Sequence, residues 1–436
     1  MIEKIRNIFQ VPELKRRILF TLALFVVYRL GEHLTTPGVN AKALAGASQA
    51  SGLFGLYDLF VGGAFSKATV FALGIMPYIS SSIILQLLGA VVPYFEKLRK
   101  EGEEGQKKIT QLTRYGTVLI SIIQSFAFSV YLTRTAHTQG LAIVEHPGVL
   151  FTLSTIVTQT AGTIFVMWLG EKITEHGIGN GISLIIFVNI IGRMPNTIIN
   201  GWKSAAAGTV SLFTIAFVLV MMVAVIAAVI LMTQATRKIP VQYAKRIVGR
   251  RMYGGANTHI PLRVNSAGVI PIIFASSVMV LPLTVAGLVG PTNPLAAMGA
   301  WFNRFGVLYN VLYGLIIVFF TYFYTAVVLN PNDLAENMRK YGGFVPGIRP
   351  GRKTAEYIDR VLSRITLPGA IFLALIAVLP DLIIGMTNAP FLGFGGTSVL
   401  IVVGVALDTL QQIESHLIMR HYEGLVSKGR IRGRTR

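Results

Sequence analysis

Ten stretches of nearly unbroken apolar sequence recur along the chain, near residues 18–34, 68–92, 115–133, 149–170, 181–199, 210–232, 266–286, 307–329, 365–384 and 398–418. Most approach the roughly 20 residues that a helix needs to cross the hydrocarbon of a bilayer. Inside lipid the backbone finds no water to bond, so each stretch must close its own hydrogen bonds as a helix. At 53% hydrophobic and 13% charged residues in 436, the apolar content also exceeds what a soluble core would use. The expectation is an all-α membrane protein with ten transmembrane helices. The first stretch follows an amphipathic leader and lacks a small-residue cleavage site, so it is read as a span and not as a removed signal peptide.

The net charge of +20 gives that protein an orientation. With ten spans both termini and alternate loops share one side, and 32 of the 39 lysines and arginines fall there. The remaining 7 are Arg29 within the first span, Lys42, Lys67, Arg134, Arg193, Lys203 and Arg304. An excess of basic residues marks the cytoplasmic side, so both ends are expected in the cytoplasm.

Several chemistries drop out. The chain has no cysteine, which removes disulfides and thiol reactions, and the histidines at 33, 137, 146, 176, 259, 416 and 421 lack a metal-ligand spacing. No metal or cofactor site is expected, and the chain reads as a non-enzyme. Gly177-Ile178-Gly179-Asn180-Gly181 has neither a preceding strand nor a following Lys-Ser/Thr, so it reads as a tight bend before span 5 and not as a phosphate loop. Proton-coupled pumps need an ionisable group in mid-membrane. Spans 2 through 8 and residues 365–380 contain no Asp or Glu; Asp408 in the last span and Arg29 in the first are ionisable groups deep in a span.

The second apolar region is divided. Gly52 to Phe60 is too short to cross, and Gly62-Gly63 separates it from a long helix expected to begin near Lys67. The short piece is either an interfacial helix or a half-helix tucked between the spans. The long helix holds Pro77, then Ser80, Ser81, Ser82 and Gln86, groups that allow close packing and bending. An echo appears five spans later: Gly74-Ile75-Met76-Pro77-Tyr78-Ile79 with its serines matches Gly268-Val269-Ile270-Pro271-Ile272-Ile273 followed by Ser276 and Ser277. An odd number of spans between two copies makes them enter the membrane from opposite sides, the mark of an inverted repeat.

Two basic loops exceed a simple connector. Residues 234–265 carry alternating stretches around Arg250-Arg251 and Gly254-Gly255, which suits a projecting β-hairpin. Residues 330–364 hold Pro346-Gly347-Ile348-Arg349-Pro350-Gly351, where prolines stiffen the backbone around one arginine. Such loops either enforce topology or dock an acidic partner.

These motifs resemble the SecY/Sec61-alpha family of protein-conducting channels. The similarity runs from Pro12-Glu13-Leu14-Lys15-Arg16-Arg17 through residues 71–79, 175–183, 265–271 and 344–351 to Gly395-Gly396-Thr397-Ser398. The resemblance implies two inverted five-helix halves, residues 1–200 with spans 1–5 and residues 201–436 with spans 6–10 and the loops 234–265 and 330–364. It implies that 52–65 is a plug half-helix, including Leu53, Phe54, Leu56, Leu59 and Phe60, and that the cytoplasmic loop is a small β-hairpin. It places a pore ring at Ile75, Ile79, Ile182, Ile186, Ile273 and Ile401. A collar of stiff β-branched side chains would resist wetting and block ions while offering a passing chain no hydrogen bonds. It places a lateral gate along Ser80, Ser81, Ser82, Gln86, Asn265, Ser276 and Ser277, with Gln86 and Asn265 expected to bond across the closed seam.

A signal sequence would gain roughly 25 cal/mol per Å² on moving sideways into lipid, which is what would hold such a gate open. Arg246, Arg250, Arg251 and Arg349 match docking positions for the SecA ATPase and the ribosome, through its RNA and proteins. SecE and SecG are the implied membrane partners; signal sequences, unfolded secretory polypeptides and membrane lipids are the other implied contacts. The implied location is the cytoplasmic membrane of a bacterium. Against this stand a small-solute secondary transporter, disfavoured by the missing carboxylates, and an insertase without an aqueous pore.

Overall fold

The computed structural model describes residues 11–40, 43–44, 58, 60–139, 142–208, 211–243, 246–248, 251–253, 257–289, 306–387 and 396–428. Helices occupy all ten apolar stretches: α1 Pro12–Gly31, α2 Met76–Val91, α4 Glu103–Gln139, α5 Val149–His176, α6 Gly181–Ala206, α7 Leu212–Gln234, α8 Ile270–Val289, α9 Val307–Val328, α11 Arg352–Thr387 and α12 Gly396–Lys428. The short helices α3 Pro93–Lys100 and α10 Pro331–Lys340 lie between them. This is the ten-helix membrane fold that the hydropathy predicts. Among the described residues seven helical stretches are long and apolar enough to cross alone, and α2 with α3 makes an eighth that bends by 98°. Helix α7 is the extreme case, with mean hydropathy 3.2 and only 6% of its most apolar window buried by this chain, the pattern of a helix apolar all round. Helix α1 likewise exposes Leu19, Leu22, Val26, Val27 and Leu30.

The second stretch corrects an expectation. No long helix starts near Lys67; residues 61–75 run through turns and α2 begins only at Met76. Gly62, Gly63, Ala68 and Gly74 there have φ of 71°, 93°, 45° and 52°. Glycine enters that region without a Cβ clash, whereas a helix would forbid it. Pro77 therefore stands in the first turn of α2, where its missing N–H has no helical partner to lose, and it does not kink a helix interior. The echo repeats this geometry. Gly268 has φ 63° within the turn 264–269, and Pro271 is the second residue of α8. G-x-x-P is thus a device for starting a helix at depth.

The chain divides into two compact units, one made of Met1–Pro195, Val280–Gly299 and Val405–Arg436, the other of Asn196–Met279 and Ala300–Gly404. In the second unit the expected hairpin is present. Strand β1 Thr236–Tyr243 pairs antiparallel with β4 Asn257–Arg263, Ile239 opposite Ile260, and β2 Arg246–Val248 pairs with β3 Arg251–Tyr253. Alternation turns Ile239 and Val241 inward. A fifth strand, β5 Gly343–Phe344, joins the free edge of β1 at Gln242 and Tyr243. The two basic loops thereby share one core of Ile239, Val241, Leu262, Met338, Val345, Ile358 and Leu362.

Candidate functional site

The turn that leads into α2 is clamped from three sides in the first unit. Thr36 N–H donates to the Ala68 carbonyl at 2.9 Å and Val70 N–H to the Leu34 carbonyl at 2.8 Å. The buried amide of Gln159 on α5 donates to the Thr69 carbonyl at 2.7 Å and to Thr36 Oγ1 at 2.8 Å. Phe71 stacks between Tyr28 and Phe165, with ring centroids 5.7 and 5.9 Å away. Ile75 then caps α2, and Ile79 lies one turn further on the same face. Both are buried, at 2% and 3% exposure.

The glycine-rich bend does what its composition predicts. Asn180 Oδ1 accepts from Ile182 and Ser183 N–H at 3.1 and 3.2 Å, capping α6. Gly179, with φ 85°, donates to Gln412 Oε1 on α12 at 3.0 Å, and Thr21 Oγ1 on α1 accepts from Ile178 N–H at 3.3 Å. So anchored, α6 presents Ile182 and Ile186 one turn apart; Ile186 is fully buried and Ile182 half-buried. In the second unit Ile273 on α8 and Ile401 on α12 are buried as well. Gly404 of α12 lies against Val269 just ahead of α8, so closely that a Cβ there would collide with the Val269 side chain.

The polar residues singled out on α2 and around α8 make hydrogen bonds both within their own segment and to a neighbouring helix. Ser80 and Ser81 are buried, and Ser81 Oγ donates to the Thr113 carbonyl on α4 at 2.8 Å. Gln86 Nε2 donates to Ser82 Oγ one turn back at 3.1 Å, and Asn265 Nδ2 to the Gly268 carbonyl at 3.1 Å. Ser276 and Ser277 both donate to the Ile273 carbonyl, at 2.8 and 3.0 Å.

Of the plug residues, Leu53, Phe54, Leu56 and Leu59 lie outside the described residues, while Phe60 is buried at 1% exposure. Around it lies a polar cluster that hydropathy did not reveal. Asp58 Oδ2 pairs with Arg193 Nη2 at 2.9 Å, and Asp58 Oδ1 accepts from Ser66 N–H at 2.9 Å. Asn189 Nδ2 donates to the Phe60 carbonyl and to Tyr28 Oη, both at 2.9 Å. Arg29 pairs with Glu32 and donates to the Val188 carbonyl at 2.6 Å. The spacings Arg29-x-x-Glu32 and Asn189-x-x-x-Arg193 were the legible signal, since each puts its two residues on one helix face.

Arg349 is exposed on a turn between Gly347 (φ 80°) and Gly351 (φ 100°). Ile348 anchors the turn in the shared core, and Thr354 Oγ1 donates to the Arg349 carbonyl at 2.9 Å. Arg246 and Arg251 stand on β2 and β3, and Arg250 lies outside the described residues. Among the described residues no group of three or more His, Asp or Glu is placed to hold a metal ion.

The profile of the SecY family matches residues 69–410. The Protein translocase subunit SecY of Thermotoga maritima is 44% identical over 444 residues, covering 100% of both chains. A solved structure described as a protein conducting channel superposes with a TM-score of 0.66 at 17% identity, covering 92% of each chain. Sec61 from a canine ribosome-channel complex of the endoplasmic reticulum gives 0.61 at 17% identity, again with 92% of each chain covered. The last two are likenesses of fold.

Proposed function

The chain belongs to the SecY family of protein translocase subunits, and from that premise we propose that it is the gated channel through which unfolded secretory polypeptides cross, and signal sequences leave sideways from, a bacterial cytoplasmic membrane. Ile75, Ile79, Ile182, Ile186, Ile273 and Ile401 form its collar. What supports this reading is the match to the SecY family over residues 69–410 together with the burial of five of these isoleucines, Ile75, Ile79, Ile186, Ile273 and Ile401. A collar of this kind excludes water from the constriction and yields to any extended chain. Residues 52–65 are the plug, and the serine-bearing helices α2 and α8 are the gate helices. Work comes from a docked motor or ribosome, since the family is one of channel subunits and not of enzymes. SecE and SecG are the membrane partners, and both termini lie in the cytoplasm.

The test uses the absence of cysteines. A single Ile79→Cys is expected to crosslink to a cysteine placed in a stalled secretory chain, while a cysteine at lipid-facing Leu219 is not. No crosslink at position 79 in an actively exporting preparation would end the reading.

Docking is assigned to Arg349 and to the arginines of β2 and β3. Arg349 is exposed on a stiff turn seated in the shared core, so its charge is presented and its backbone is not altered by changing it. Arg349→Glu is expected to lower SecA-driven and ribosome-coupled export by about tenfold or more at low salt, and to flatten the dependence of export on added salt, because one counterion-releasing contact is gone. Export rates in membrane vesicles at two salt concentrations check this, and unchanged rates for both partners would remove Arg349 from the interface.

A further inference from the structure

Asp58 and residues 60–66 are tied down by polar groups that a simple apolar stopper would not use. Asp58 holds Arg193 of α6 on one carboxylate oxygen and its own chain, at Ser66, on the other. Asn189 of α6 reaches the Phe60 carbonyl and is itself oriented by Tyr28 of α1. Gly62, with φ 71°, threads between Glu32 and Asn189: a Cβ there would lie 3.0 Å from Glu32 Oε1 and 3.2 Å from the Asn189 Cβ. Arg29, bonded to Glu32 and to the Val188 carbonyl, braces α1 against α6 and so fixes the frame to which the segment is fastened.

The two carboxylates are differently placed from their partners. The side chains of Asp58 and Glu32 are 8% and 6% exposed, whereas Arg193 and Arg29 are 36% and 31% exposed. The anions are held inside the protein, and water can reach the cations when the pairs open. An ion pair with one wet end can separate and re-form, which suits a reversible fastening better than a permanent core contact.

We propose that the Asp58–Arg193 pair, together with the Asn189 bond to the Phe60 carbonyl, is a latch that holds Asp58 and residues 60–66 on α1 and α6 and sets the threshold at which the channel opens. The proposal rests on the reading of residues 52–65 as a plug. It makes Asp58, Asn189 and Arg193 positioning residues: they touch no passing chain, and they act by fixing the segment that seals.

The channel, reconstituted in vesicles with its membrane partners, gives the test. Asp58→Asn and Arg193→Gln are each expected to raise the resting ion leak by about tenfold or more, as loss of a close charge pair does at other interfaces. The exchanged pair Asp58→Arg with Arg193→Asp is expected to leak less than either single variant but more than the parent, because the attraction survives the swap while the Ser66 N–H loses its acceptor.

A double-cysteine variant removes any dependence on how the charge variants fold. Gly62→Cys with Asn189→Cys places two Cβ atoms near the roughly 3.5–4.5 Å of a disulfide. In one preparation the oxidised pair is expected to be sealed and export-dead, and the reduced pair leaky and active. Wild-type leak in both single charge variants, or an exchanged pair no tighter than either single, would overturn the latch while a crosslink at Ile79→Cys still upheld the channel. Equal export from the oxidised and reduced pair would overturn the latch and the plug assignment together.

Discussion

Replacing Ile79 and Ile186 together by asparagine is expected to turn a sealed resting channel into one that conducts ions, with a rise in leak of about tenfold or more. The two side chains are 3% and 0% exposed, so each is packed against other protein atoms. A narrow apolar constriction blocks ions because water does not stay in it, and two amides would give water a foothold. The same change carries a stability cost, since an aliphatic side chain is lost and a polar group is buried, together about 2–5 kcal/mol per site. For that reason the informative comparison is Ile79→Leu with Ile186→Leu. That pair keeps the volume, costs less than about 1.5 kcal/mol per site, and is expected to stay sealed. Single-channel recording on both pairs decides the matter: equal conductance from the asparagine and leucine pairs would remove these isoleucines from the seal.

Gly162→Ala is expected to damage the fold more than any other single methyl addition along α5. A Cβ at this position would run into the carbonyl oxygen of Val70 and lie 3.0 Å from its carbonyl carbon. The obstacle is backbone and cannot swing aside. Val70 N–H is held by Leu34, and the neighbouring Thr69 carbonyl by Gln159, so the whole turn before α2 must move or α5 must withdraw. Overpacking of that kind costs about 1–3 kcal/mol, with rigid surroundings at the upper end. Gly148→Ala is the matched control: its φ of 178° is extended backbone and nothing lies within 4 Å of the added methyl, so a change of no more than about 0.5 kcal/mol is expected. Thermal unfolding of both variants in detergent compares them, and equal midpoints would show that the turn gives way freely.

The ten spans and the basic hairpin are legible because hydropathy and period-two alternation are sums over neighbouring residues. The G-x-x-P echo is visible too, but its meaning is not. Apolar sequence from 68 onward looks helical to any window average, yet positive φ at Ala68 and Gly74 stops a helix before Met76. Strand β5 escapes notice because two residues carry no periodicity; only the nearby edge of β1 makes Gly343 and Phe344 a strand.

Sequence alone determined that this chain crosses a bilayer repeatedly and that its basic residues gather in the loops between spans. Tertiary structure alone decided which polar groups meet. Gln159 finds Thr36 across 123 residues and Asp58 finds Arg193 across 135. The physical reason is range. Transfer to lipid is fixed by what a residue is, whereas a hydrogen bond or ion pair is fixed within a few tenths of an ångström by where two distant backbones place their side chains.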